Sequence, residues 1–375
     1  MIKVLQFSSL VNRYDFIDNI VHFADKSKFD VGVCIITGHS NIQSPVYEKD
    51  VFHRVLNNNL SRGAIPQTVW QLRRILREWK PDIIHTHHYD QTLIGYLATR
   101  LYPKTKLVIG RHYSDAMYRL PSRLHQKVFL NIENIFNRKA QRIIVPSTYI
   151  RDILMQRQNI SPEKIDVVPY GFPDEKFPQI SDSEVSNFRR ENNLNDKIVL
   201  CIIGRIDDQK GHKDLIIALK RVKDNIPNIH LLIIGDGPNA SEIKAKVKEY
   251  HLQENVIFLG WRKDVAKIIK SVDIVVHPSL QEAFSSVMCE ALWLGKPLII
   301  SDVSGATDII ESGKNGVIVA KGNAELLGKA IEDLAKDSSQ RAEIAENGKI
   351  YARQNLHIRK AIKRYENSYL KAMNR

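Results

Sequence analysis

His277–Gly295 reads HPSLQEAFSSVMCEALWLG. The residues entering it, SVDIVVHPS at 271–279, have the apolar content and length of a buried strand. A short polar turn follows at 280–283, then a segment from Phe284 to Leu294 that is apolar almost all round, closed by Gly295 as a helix stop. Glu290 breaks that pattern, among Val287, Met288, Cys289, Ala291, Leu292 and Leu294. A charge on a helix with no polar face is costly unless something pairs with it. Glu282 stands just before the helix, where backbone N–H groups point outward and attract anions. One reading makes Glu282 a dipole partner and Glu290 a satisfied core carboxylate. The other makes both part of a ligand site.

Working outward, the second half alternates strands KIVLCIIG, HLLIIGDG, VIFLG, SVDIVVHPS, PLIISDV and GVIVA with helical stretches. The first half alternates in the same way. Strands IKVLQFSS, FDVGVCIITG, VFHRVL, PDIIHTHH, TKLVIGRH, RIIVPS and IDVVPYG are separated by helices at 15–26, 67–79, 91–101, 123–139 and 148–158. Such alternation predicts parallel sheets covered on both faces. The fold class expected is α/β, with two Rossmann-like doubly wound parallel-sheet domains facing a central crevice. The expected boundaries are an N-terminal domain at 1–171, a polar, proline-bearing linker at 172–196, a C-terminal domain at 197–355, and a final helix at 356–375 packing back on the N-terminal domain.

The net charge of +13 is uneven: residues 1–165 hold 24 Lys and Arg against 13 Asp and Glu, and the remainder holds 31 against 29. A basic first half suits an anionic partner: nucleic acid, an anionic membrane surface or a phosphorylated substrate. No basic arm or low-complexity tract accompanies it, which counts against nucleic acid. The helix at 67–79 carries Val69, Trp70, Leu72, Ile75 and Leu76 beside Arg73, Arg74 and Arg77, with Lys80 following. It either packs its stripe on the sheet or rests at a membrane surface. No apolar run reaches the ~18–20 residues that span a bilayer, and the N-terminus reads as a first strand rather than a signal peptide. Cys34, Cys201 and Cys289 lie in apolar contexts and form neither a disulfide framework nor a metal pattern. These features predict a cytoplasmic protein, with peripheral contact at the inner face of the membrane as the variant.

Three further motifs carry chemistry. GRIDDQKGH at 204–212 puts Arg205 and Lys210 near a helix N-terminus, a plausible diphosphate site. Gly235, Gly237 and Pro238 form a second tight strand end, and Gly260-Trp261 a third. His85, His87 and His88 end one strand of the first half and His112 the next. A zinc reading of these histidines lacks a third ligand at a usual spacing, so no metal site is expected. Neither G-x-G-x-x-G nor a P-loop is present, against NAD binding and ATP hydrolysis.

Glu282 and Glu290 reproduce the E-x7-E signature of family 4 glycosyltransferases, and residues 204–211 match that family's G-R-(x)4-K-G. The chain resembles that family over essentially all of 197–320, including Pro278, Gly295, Pro297 and Asn315-Gly316. The resemblance implies the GT-B fold and a retaining transfer from a nucleoside diphosphate sugar to a hydroxyl acceptor, which a lipid can carry. No cofactor is implied. Surface polysaccharide or lipopolysaccharide assembly is the usual setting. It also implies roles. Arg205 and Lys210 hold the diphosphate in place of a metal. Gly204, Gly235, Gly237 and Trp261 line the nucleotide side. Glu282 and the N–H groups of Ala283, Phe284 and Ser285 contact sugar and phosphate, Glu290 takes the ribose hydroxyls, and His112 approaches the sugar's hydroxymethyl group. The sequence departs from the family in the loop after the first strand, which has no glycine pair, and at Pro169-Tyr170-Gly171, where the family has P-N-G. An epimerase or hydrolase acting on the donor alone, and a binding protein without chemistry, are the alternatives.

Overall fold

The computed structural model describes residues 1–9, 15–37, 51–57, 62–113 and 122–374. They form two compact units, Met1–Gly171 with Ile358–Arg375, and Phe172–His357.

In the first unit the strands are β1 (Ile2–Ser9), β2 (Phe29–Thr37), β3 (His53–Asn57), β4 (Ile83–His87), β5 (Lys106–Gly110), β6 (Arg142–Val145) and β7 (Ile165–Val167). Between them run α1 (Asp15–Phe23), α2 (Ile65–Trp79), α3 (Tyr89–Leu101), α4 (Arg123–Lys139) and α5 (Thr148–Gln158). The sheet order is β3-β2-β1-β4-β5-β6-β7, with every pairing parallel. Parallel strands need helical crossovers, and helices on both faces bury the central strands. That is why β2 and β5 read as largely apolar runs, whereas β1 and β4 turn polar toward their C-terminal ends. The order reverses between β1 and β4, the switch point at which doubly wound sheets bind ligands.

On α2 the apolar stripe turns toward the sheet. Thr68, Val69, Leu72, Ile75 and Leu76 pack inward, while Trp70 is 57% exposed with the Arg73 guanidinium over its ring. The stripe is core, and Trp70 is not part of it.

The second unit contains β8 (Ile198–Ile203), α7 (His212–Asn225), β9 (Ile229–Ile234), α8 (Ala240–Glu249), β10 (Val256–Gly260), α9 (Val265–Ser271), β11 (Ile274–His277), α10 (Ser286–Trp293), β12 (Leu298–Ser301), α11 (Ala306–Ile309), β13 (Val317–Val319), α12 (Ala324–Lys336) and α13 (Ser338–Asn355), preceded by α6 (Asp182–Glu191). The sheet order is β10-β9-β8-β11-β12-β13, again all parallel. Its switch point lies between β8 and β11. Leu200, Ile202, Leu215, Leu219, Leu231 and Ile274 form its central core.

The segment expected to be a linker belongs to this second unit. Phe177 stacks on Trp293 at 5.2 Å, Phe188 of α6 is buried, and Arg189 donates to the carbonyls of Ser271, Leu194 and Lys197. Prolines and charges made the stretch look extended, but its three phenylalanines are anchors.

The last helix, α14 (Ile358–Met373), lies in the first unit. Ile358, Ile362, Tyr365, Tyr369 and Ala372 join a core with Val4, Ile20, Val33, Ile83 and Val108.

Candidate active site

At the switch point of the second unit, the loops after β8 and β11 are locked together. Leu280 N–H donates to the Gln209 carbonyl at 2.7 Å. A Cβ on Gly211 would lie 1.9 Å from the Pro278 carbonyl oxygen, and Gly211 has φ +70°, so only glycine lets the two loops close. Gly235 and Gly237 serve a similar close approach. Cβ atoms there would meet the carbonyl oxygens of Gly204 and Ile206 at 2.0 and 2.3 Å. The glycines expected to face a nucleotide thus have a packing role that shapes the ends of β8 and β9.

This closure brings Lys210 to Glu282. Lys210 Nζ donates to Glu282 Oε1 at 2.5 Å, and the same oxygen accepts from His277 Nε2 and Ser279 Oγ, each at 3.0 Å. Burial alone would push the Glu282 carboxyl up. The hydrogen bond and charge of His277, joined by those of Lys210, outweigh burial and hold it down at about 2. The carboxylate is therefore ionised through the neutral range. His277 and Ser279 had no role in the sequence reading. The available signal was a histidine closing an otherwise apolar strand, five residues before the acid it orients.

Ser285 caps α10 by accepting from Met288 N–H at 3.1 Å. The helix thus starts two residues later than expected. Ala283 is fixed by its carbonyl accepting from Ser304 Oγ, and Phe284 is buried against Gly305. The positive end of the α10 dipole lies immediately after this segment.

Arg205 is placed differently from Lys210. Its side chain is 69% exposed, and Nε donates to Asp207 Oδ2 at 2.8 Å. Asp207 also accepts from Gln209 N–H, and Asp208 accepts from Lys213 and Asn239, so both carboxylates have protein donors. Among the described residues, no three His, Cys, Asp or Glu side chains are grouped to hold a metal ion.

Glu290 departs from the core-carboxylate reading. It is half-buried, 3.9 Å from Lys176 Nζ, on a cavity of about 350 Å³ lined also by Phe177, Lys263, Val265 and Leu294. The helix is apolar on its other sides, so Glu290 marks the one edge of α10 that faces an opening. Lys176 was not anticipated because it lies in the supposed linker. Trp261, at the end of β10, is 71% exposed with Lys263 near its ring.

In the first unit the strand-end histidines form a hydrogen-bonded cluster. His87 Nδ1 and His112 Nε2 are 2.9 Å apart, His87 Nε2 meets Gln6 Oε1 at 2.9 Å, and His112 Nδ1 meets the Tyr170 hydroxyl at 2.8 Å. Gly110 makes room, since a Cβ there would lie within 3 Å of His85, His87 and His112. His88 ends the strand at φ +66°, a strained setting for a non-glycine residue. Burial first, then neighbouring histidines, pushes His87 and His112 well below the usual imidazole range. The loop after β1, where a glycine pair is missing, lies at residues 10–14, outside the described residues.

Two parallel α/β units with the 3-2-1-4-5-6 strand order, the second presenting a lysine–glutamate pair at its switch point, define a GT-B glycosyltransferase. Residues 16–176 match the family description "Glycosyltransferase Family 4", and residues 184–351 match "Glycosyl transferases group 1". The chain belongs to the family 4 glycosyltransferases. It is 27% identical over 275 residues to the UDP-Gal:alpha-D-GlcNAc-diphosphoundecaprenol alpha-1,3-galactosyltransferase of Escherichia coli, covering 72% of this chain and 70% of that protein. It is 26% identical over 337 residues to the capsular polysaccharide biosynthesis glycosyltransferase CapM of Staphylococcus aureus, covering 88% and 86%. In structure it is similar to HepE of Anabaena in complex with UDP, with a TM-score of 0.84 at 20% identity over 98% of this chain and all of that one.

Proposed function

We propose that the enzyme transfers a hexose-type sugar from a nucleoside diphosphate sugar to a hydroxyl acceptor, with retention and without a metal ion, in the assembly of a surface polysaccharide or lipopolysaccharide. The observation carrying this reading is the Lys210–Glu282–His277 assembly, built by the loops after β8 and β11 at the mouth of α7. Lys210, Arg205 and the helix N-terminus supply the positive charge that a departing nucleoside diphosphate needs. Asp207 and Asp208 already have protein donors, which supports the metal-free form. Glu282, with one oxygen accepting from three donors, is better suited to position a sugar than to attack it. In the proposed step the donor C1–O bond breaks as the acceptor oxygen bonds to C1 from the same face. The leaving phosphate oxygen takes the acceptor proton. Glu290, beside the cavity, takes the ribose hydroxyls, and His112 serves the sugar. HepE was solved with UDP and with UDP-glucose, which makes uridine donors the first to test.

Incubation with UDP-, GDP- and ADP-sugars should give a rise in melting temperature and turnover with one of them, unaffected by EDTA. No stabilisation by any nucleotide sugar would overturn the assignment. Full loss with EDTA, restored by Mg²⁺ or Mn²⁺, would overturn the metal-free form.

The acceptor in this proposal is lipid-linked, as for the E. coli relative. No helix among the described residues is long and apolar enough to cross a membrane. Trp70, Arg74 and Arg77 project outward from α2 and would meet an anionic surface, each cation contributing ~1 kcal/mol. Co-sedimentation with anionic but not neutral vesicles, weakened by salt and by charge reversal at Arg73, Arg74 and Arg77, is the expected result. Equal, negligible binding to both would exclude the contact.

A further inference from the structure

Lys176 and Glu290 line the same cavity of the second unit, whose volume of about 350 Å³ is within the range of small-molecule sites. Lys176 Nζ lies 3.9 Å from Glu290 Oε1. That is too long for a hydrogen bond, and it leaves room for one hydroxyl oxygen at about 2.8 Å from both atoms. Such a hydroxyl donates its proton to the carboxylate and accepts from the ammonium, so both of its functions are used. The spacing of the pair is set by packing around it. Lys176 ends a short 3₁₀ turn, Asp174–Lys176, and its N–H donates to the Pro173 carbonyl at 3.1 Å. Its ammonium lies over the Phe172 ring at 4.7 Å. Phe172 is buried, and its N–H donates to the Leu356 carbonyl at 2.9 Å. The next residue, Phe177, stacks on Trp293, about one helical turn beyond Glu290 on α10. The turn that carries Lys176 is thus clamped to the helix that carries Glu290.

We infer that Lys176 is a further binding residue for the donor: its ammonium donates to the ribose diol from which Glu290 accepts, so the site takes ribonucleoside diphosphate sugars and rejects their 2′-deoxy counterparts, the thymidine class. This inference rests on the proposed role of Glu290 at the ribose. A carboxylate alone binds any hydrogen-bond donor. A carboxylate and an ammonium at this spacing bind a group that is donor and acceptor at once, and a sugar hydroxyl is such a group. The pair is neutral in sum, which suits an uncharged diol. The charge of the diphosphate is met by Lys210 and Arg205 in the proposed site. A hydrogen in place of the hydroxyl satisfies neither member. A 2′-deoxy donor therefore desolvates polar groups that it does not compensate, which is the strongest way a site rejects an analogue lacking one hydroxyl. The remaining lining includes Val265, Ala266, Ile269 and Leu294, apolar side chains that add contact area without reading the diol.

Calorimetric titration of the full-length protein with UDP, 2′-deoxy-UDP and 3′-deoxy-UDP tests this without an acceptor, and the same series on GDP or ADP applies if the melting screen selects another base. The ribonucleotide should bind about 10–100-fold more tightly than either analogue, the range of a hydrogen bond to a charged group. Lys176→Met keeps the stem on Phe172 and removes the ammonium. It should weaken the ribonucleotide about tenfold and narrow its lead over one of the two analogues by the same factor, while Lys176→Arg keeps most of that lead. Equal weakening of all three ligands would mean that Lys176 acts on the diphosphate charge from a distance, and would overturn the inference. Unchanged binding of all three, or thymidine diphosphate bound as tightly as UDP, would overturn it as well. Failure of every nucleoside diphosphate to bind would sink the functional proposal and this inference together, whereas binding without selectivity that depends on Lys176 sinks this inference alone.

Discussion

Lys210→Ala is expected to lower kcat by about 10²–10³-fold, the usual cost of removing one charge-stabilising donor from a transition state. The charge on the leaving diphosphate grows as the sugar departs, so the loss should appear in kcat as well as in kcat/KM. Lys210 is already aimed at the site by its contact with Glu282, and the Gly211 turn holds it there. Arg205→Ala should cost about 10²-fold or less, because its exposed side chain must first leave Asp207. Glu282 keeps its hydrogen bonds from His277 and Ser279 in the Lys210 variant, so the fold should survive with a small fall in melting temperature. Single-turnover rates alongside thermal melts separate the two effects. Near wild-type kcat in Lys210→Ala would remove it from the diphosphate site.

The first unit should lose stability steeply below about pH 6.5. His85, His87 and His112 are buried and uncharged in the folded chain, with His85 lowered to about 3 by burial and the other two held well below the usual imidazole range by burial and neighbouring histidines. In the unfolded chain each titrates near 6.5. Their stabilising contribution is complete above that pH, and it is lost as pH falls because the unfolded state takes up protons that the folded state refuses. At pH 5.5 His85 contributes a loss of ~1.4 kcal/mol, and His87 and His112 add to it in the same direction. His88 is lowered in the same direction and adds to it. Against the ~5–15 kcal/mol that holds a domain together, losses of this kind are readily measured. Melting temperature should fall by at least about 3–6 °C between pH 7.5 and 5.5. The Glu282 contribution has the same direction but falls in a lower window, below 4.5, so it does not overlap. In the second unit His212 is lowered in the same direction, to about 4, by burial. A melting temperature that moves less than 3 °C over this range would contradict the buried, neutral cluster.

What the sequence showed and what it hid divide along the range of the interactions. The strands and both sheets were legible because parallel strands are long apolar runs closed by glycine or proline. The resemblance assigned Lys210 and Glu282 to one donor site, but the ion pair between them, which joins residues 72 positions apart, was not anticipated. For Glu290 the sequence left two readings open, because an all-apolar helix predicts burial, and only the packing of Phe177 and Lys176 shows which edge is open. The linker was misjudged for a related reason: composition registers prolines and charges but not that Phe188 finds a pocket. Nothing local announced the Gln6–Tyr369 contact, which joins residues 363 positions apart. In the sequence Tyr369 is one position on a helical tail, and in the structure its hydroxyl meets Gln6 and His85.

The return of α14 to the first unit sets an order of events on the ribosome. Residues 1–171 emerge first, but Val4, Ile20, Val33 and Ile83 wait for Ile358, Ile362 and Tyr369 to cover them. At ~5–20 residues per second, roughly ten to forty seconds of translation separate the two. Meanwhile the second unit, contained in one continuous segment, can fold by itself. The domain that is made first is therefore finished last, and its half-covered sheet is the surface that a nascent-chain chaperone would meet.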